Sequence, residues 1–181
     1  MIEVKNNSGF TVIELLVTAG IFIVIFTVAI IDFRNGESIN SLQIATDQVA
    51  ADIRTAQTET LSGSDKSEIT AAGGFGVDFD LSVSNGQYTF FRDDGSNNFD
   101  NKKDSIISLI SLPPNITLAA VAPQPLSIVF TPPKPDTYIN GISNAGNNAN
   151  IILFSSKINN KQGVVTINSF TGRVTAEIQD R

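Results

Sequence analysis

Glu14 is one carboxylate at the head of an otherwise apolar run, FTVIELLVTAGIFIVIFTVAII from Phe10 to Ile31. A charged side chain inside a bilayer costs about 2.5–3.5 kcal/mol on insertion scales, so Glu14 needs a partner or a task. The chemistry open to it there is ion pairing in low dielectric. The chain has neither His nor Cys, which removes the commonest general base, the Ser-His-Asp arrangement, thiolate metal sites and disulfides. A carboxylate-only active site is what remains. Asp78 and Asp80 stand two apart on an expected strand and share a face opposite Phe75, Val77, Phe79 and Leu81. That pattern reads as a solvated strand face, so the expectation is a non-enzyme.

Two further groups carry polar chemistry. In Arg92-Asp93-Asp94-Gly95-Ser96-Asn97-Asn98-Phe99-Asp100, the oxygen-bearing Asp94, Ser96, Asn98 and Asp100 fall on alternate positions, as in Ca²⁺-binding loops. The glycine position and the closing Glu of the EF-hand are missing, and a solvated Asx/Gly turn between two strands is the competing reading. Arg173 follows Gly172 in an expected C-terminal turn. Its residues alone read as a hairpin Arg satisfying nearby carbonyls or carboxylates.

The elements that position these groups change character along the chain. About 22 residues make a helix of roughly 33 Å, matching a hydrocarbon core of about 30 Å. The leader MIEVKNNSG holds one Lys and one Glu, and no small-x-small cleavage site follows Ile31. That is unlike a secretory signal, although an unprocessed anchor fits. Ile39, Leu42, Thr46, Val49, Ile53 and Ala56 then recur at spacings of three and four, so the helix is expected to continue as an amphipathic segment to about Leu61. Gly20 and Gly36 are its soft points.

Beyond residue 62 the pattern becomes strand-like. Phe75 to Val83 alternates, and Asn85-Gly86 predicts a type I′ hairpin in which Val83 meets Tyr88 and Leu81 meets Phe90. Further strands are expected at Ile106–Leu112, Leu126–Phe130, Ile151–Phe154, Gly163–Asn168 and Arg173–Ile178. Pro113-Pro114 and Pro132-Pro133-Lys134-Pro135 mark turns or sheet edges, and Asn140 to Asn150 reads as a mobile polar loop. The expected fold class is α+β: a long N-terminal helix, half transmembrane and half amphipathic, bearing a C-terminal antiparallel β head in a lollipop layout. Residues 10–61 hold two basic against six acidic side chains, and residues 62–181 hold nine against eleven. Neither part has the basic stripe that phosphate neutralisation requires, which disfavours nucleic-acid binding.

The segment Gly9-Phe10-Thr11-Val12-Ile13-Glu14 resembles the class III signal of type IV pilins and type II secretion pseudopilins. In that family a short polar leader ends in Gly, followed by Phe, then Glu at the fifth mature position, then a long apolar helix. The resemblance implies a leader at 1–9, an assembly helix at 10–31, its amphipathic continuation at 32–61 and a head at 62–181. It implies prepilin-peptidase cleavage between Gly9 and Phe10, N-methylation of Phe10, and Glu14 pairing with a neighbouring subunit's terminal amine. Glu3 departs from the usual basic leader, and a snorkelling helix-end Glu is the competing reading of Glu14. No proline stands near the end of the apolar span, a departure from many major pilins.

Over the head, GFGVDFDLSVSNGQYTFFRDD, SLPPNITL, LSIVFTPP and GVVTINSFTGRVTAEI resemble the H-type minor pseudopilins and the FimT-like minor pilins. The DNA-binding FimT-like pilins carry Gly-Arg-x-Arg, so the resemblance implies Arg173 as a candidate DNA contact, but Thr175 stands here in place of the second Arg, which weakens that reading. The family implies other pilin subunits and an inner-membrane assembly platform as partners, and single-pass inner-membrane insertion with the head outside before fibre assembly. Expected cofactors are none, with Ca²⁺ at the Asp/Asn loop as the one candidate. The alternatives are a tip minor pilin that binds DNA, a surface or secreted cargo, and a membrane-anchored β domain that forms no fibre.

Overall fold

The computed structural model describes residues 10–62, 73–133, 136–143, 146 and 148–181, with side chains at 31–35 excluded. The protein is α+β, with one long helix, α1 (Val12–Ser62), ahead of ten strands among the described residues. The chain divides into two compact units, Met1–Glu37 and Ser38–Arg181. The boundary falls within the helix, so its amphipathic half belongs with the strands rather than forming a segment apart from the head.

In the first unit, α1 starts at Val12, two residues later than the apolar run, because Thr11 caps it. The backbone N–H of Glu14 donates to Thr11 Oγ1 at 3.3 Å, and Glu14 Oε2 accepts from Thr11 N at 2.9 Å. This reciprocal pair is a capping box, which satisfies orphan donors at the helix start. Val12–Ile30 has a mean hydropathy of 2.6 and none of it is buried, so it is long and apolar enough to cross a membrane. A signal sequence near the N-terminus would look the same by length and composition. The hydroxyls within it are satisfied by the helix itself: Thr18 donates to Leu15 O at 3.0 Å and Thr27 to Ile23 O at 2.8 Å. Internal satisfaction of this kind is what an apolar solvent demands.

In the second unit, Leu42, Ala45, Val49, Ala50, Ile53 and Ala56 are fully buried along one side of α1. Ile39, expected in this seam, is exposed, whereas Ala45 and Ala50 join it. The helix shares one hydrophobic core with two antiparallel sheets. The six-stranded sheet has the order β3 (Ser105–Ser111), β2 (Gln87–Arg92), β1 (Phe75–Phe79), β5 (Leu126–Thr131), β6 (Asp136–Ile139), β7 (Ile142–Ser143). The four-stranded sheet runs β10 (Val174–Asp180), β9 (Ile158–Ile167), β8 (Ala149–Ser155), β4 (Ile116–Ala122). At Gly163 on β9 a Cβ would run into Thr46 Oγ1, so glycine lets helix and sheet close to contact there.

Several expectations need correction. Asn85-Gly86 forms no type I′ turn: neither residue has positive φ, and Phe90 faces Val77 rather than Leu81. The chain turns earlier because the Asp80 carboxylate accepts from Ser82 N and Oγ at 2.8 and 2.6 Å, while its carbonyl accepts from Val83 N and Ser84 N. Asn85 and Gly86 are instead tied by their carbonyls to Leu118 N and Leu112 N. Val77 and Phe79 remain on the apolar face, because the slip is by an even number of residues. The type I′ turn occurs at Asn140-Gly141, with φ of 50° and 76°, where Ile139 pairs with Ile142. The polar tract 140–150 therefore begins as a hairpin and ends as the start of β8, not as a loop throughout. Strands β4, β6 and β7 were not expected from the sequence.

Candidate functional site

Of the positions singled out in the sequence, Gly9 lies outside the described residues. Phe10 is exposed, and Glu14 stands two residues into the helix, with Thr11 Oγ1 also donating to its Oε2 at 2.9 Å. Its Oε1 takes no hydrogen bond among the described residues. One carboxylate oxygen is used locally.

The 93–104 segment joins β2 to β3 and is built of side chain-to-backbone turns. Asp93 accepts from Gly95 N and Asn97 N, and Asp104 accepts from Asp94 N and Asp100 N. Asp94 accepts from Ser96 N at 3.0 Å, Ser96 Oγ donates to Asn98 O, and Asp100 pairs with Lys103 at 3.7 Å. The acids brought together are Asp93, Asp94 and Asp104, with oxygens within 4.8 Å of one another. Asp100 is outside that group, so the alternate-position set is not the one the fold assembles. Burial pushes Asp104 up, whereas the Ser96 hydrogen bonds hold the exposed Asp94 down.

Arg173 is exposed, and its guanidinium has no ion pair or hydrogen bond among the described residues. Its turn is held by Asn168, whose Oδ1 accepts from Phe170 N and Thr171 N, while Asn168 N donates to Arg173 O. The expected satisfaction of nearby carbonyls by Arg173 is made instead by Arg54, which donates to Val174 O at 2.9 Å.

The structure assembles one site that the strand pattern did not reveal. Asp78, expected on a solvated face, is only 8% exposed. The reason is the 93–104 segment, which lies over the outer face of the six-stranded sheet. Phe99 packs on Phe91 with the rings tilted by 57° and their centroids 4.8 Å apart, and Phe99 N donates to Ser127 Oγ at 3.0 Å. Beside it opens a cavity of about 300 Å³. Val83, Phe99, Ile106 and Leu109 supply apolar wall; Asp78, Thr89, Gln87 and Asp80 supply polar groups. The Asp78 carboxylate has no hydrogen bond or ion pair among the described residues, and burial, then the charge of Asp80, pushes it up to about 7. Asp80, expected on the same strand face, lies just past the end of β1 in the turn that it holds.

No protein-family model matches the chain, and no curated protein or solved structure does either.

Proposed function

We propose that the protein is a structural, minor subunit of a type IV pilus or type II secretion pseudopilus, inserted in the inner membrane and processed by a prepilin peptidase. It is a substrate of that peptidase and of an assembly platform, not an enzyme. The carrying observation is Glu14: the one charged residue of an uncovered apolar helix, placed in its first turn with an oxygen free of local bonds. Cleavage before Phe10 would leave an amine four residues upstream. In a bundle of such helices, a neighbour's amine and Glu14 would offset each other's desolvation and fix axial register. The intrahelical hydroxyl bonds of Thr18 and Thr27 suit both lipid and a helical bundle.

Intact-mass and N-terminal fragment analysis of the protein from its native membranes tests this. A chain beginning at N-methyl-Phe10 supports the reading. A chain retaining residues 1–9 in cells with an active prepilin peptidase overturns it, leaving an anchored β domain whose Glu14 serves only as a helix cap.

A further inference from the structure

Asp78 is an acid with no hydrogen-bond or ion-pair partner among the described residues. It sits on β1, the third strand from the β3 edge of its sheet, on the face away from α1, and its oxygens open into the 300 Å³ cavity. A carboxylate largely withdrawn from water and given no protein hydrogen-bond partner is costly, so a ligand group that satisfies it through the cavity is favoured there.

The lining decides what that group is. Among the described residues no Lys or Arg lines the cavity, and a second carboxylate, Asp80, lines it as well. The third titratable group is Tyr88, whose hydroxyl is already donated to Asp52 at 2.6 Å. The local field is negative, and it favours a cation. Thr89 and Gln87 on β2 add neutral hydrogen-bonding groups, while Val83, Phe99, Ile106 and Leu109 present hydrocarbon. Val83, Ile106 and Leu109 are well exposed in the unliganded protein. A bare metal ion would leave that apolar wall unused, and an anion would face two carboxylates.

We propose that this cavity binds a small aliphatic ammonium ion, its charged head on Asp78 and its hydrocarbon stem against Val83, Phe99, Ile106 and Leu109. The chemistry is the same whether the ammonium belongs to a free amine or to a lysine side chain of a peptide. The site is independent of the fibre reading, because it lies wholly within the second unit.

The test uses the full chain in non-ionic detergent, with backbone amide shifts of Thr89 and Asn101 followed by NMR. Probes are n-butylammonium, the near-isosteres n-butanol and butyrate, and an acetyl-Lys-amide peptide with its Nε-acetylated twin. The expected result is saturable shifts with butylammonium and much weaker ones with butanol and butyrate. Affinity should fall at least tenfold in Asp78→Asn, and about tenfold in the wild type between pH 8 and pH 6, as a carboxyl titrating near 7 loses its charge. Since Asp78→Asn could alter the fold, the wild-type pH series and the probe comparison stand without it. Lysine-peptide binding lost on acetylation identifies a protein side chain as a source; binding of butylammonium alone restricts the site to free amines. No saturable shift, equal response to butanol, or unchanged affinity in a folded Asp78→Asn protein overturns the proposal.

Discussion

The hydroxyl of Tyr88 on β2 donates to Asp52 Oδ2 on α1 at 2.6 Å, a charge-assisted bond spanning helix and sheet inside the second unit. Tyr88 is 1% exposed and its ring stacks on Phe79, centroids 5.1 Å apart, so the phenol is fixed by packing before it reaches the acid. Burial, and then the Asp52 bond, push the phenol above its ordinary range and keep it protonated.

Tyr88→Phe removes that donor and leaves a half-buried carboxylate unpaired. The expected loss is about 1–3 kcal/mol, read as a lower midpoint in chemical denaturation followed by near-ultraviolet circular dichroism. Adding Asp52→Asn should recover part of it. Equal midpoints for wild type and Tyr88→Phe would show that the bond contributes nothing net.

Gly163→Ala tests the contact of β9 with α1. A methyl group there meets Thr46, and overpacking of this kind typically costs about 1–3 kcal/mol. Thr46 already donates to Leu42 O at 2.7 Å within its helix, so Thr46→Ala should relieve the strain without orphaning a sheet group. A double-mutant cycle that is additive would refute the contact.

Glu14→Gln separates capping from charge. Glutamine at the third helical position still accepts from Thr11 N, so the capping box survives. The fibre reading expects Glu14→Gln and Glu14→Ala to abolish assembly alike, with membrane insertion intact by fractionation. Assembly retained in Glu14→Gln would reduce Glu14 to a cap.

Acid should stabilise the second unit through Asp78. Its folded value, about 7, lies above the ordinary value of 3.8, so the folded state holds the extra proton between them. Stability from this group is therefore greatest near pH 4 and declines as pH rises to 7. The raised Asp104 acts in the same direction, while the lowered Asp80 and Asp94 lose their contributions only as pH falls further. Thermal midpoints between pH 4.5 and 7.5 should fall with rising pH in the wild type and flatten in Asp78→Asn, the difference being on the order of a few kcal/mol.

The helix, its apolar span and most of its buried seam were legible because periodicity is a local property of the chain. The hairpin was misplaced because two Asn-Gly pairs, Asn85-Gly86 and Asn140-Gly141, lie among the strands and the choice between them is tertiary. Asn140 is clamped by Ser127 N to its Oδ1 at 2.7 Å and by its Nδ2 to Pro125 O at 2.8 Å, whereas Asp80 draws the other turn forward. Asp78 was read as solvated because alternation gives a face, not what covers it. Its cover comes from a segment of Asp, Asn, Ser and Gly, a composition typical of turns exposed to water. The acids of that segment spend their oxygens on its own backbone, and this lets so polar a stretch lie against Phe91.

That same segment reaches the Asn140-Gly141 turn, where Asn98 Cβ stands 3.6 Å from the place a Gly141 Cβ would occupy. It therefore behaves as a strap across four strands, and length changes should be unequally tolerated around the sheet. Residues inserted near Val83 would enlarge an exposed bend and disturb one wall of the cavity while leaving the strap in place. One residue added between Asp93 and Asp104 would lift Phe99 off Phe91, wet the outer face and erase the cavity in a single step. Variation within this connection is thus a route by which related chains could lose or re-shape the pocket while keeping every strand.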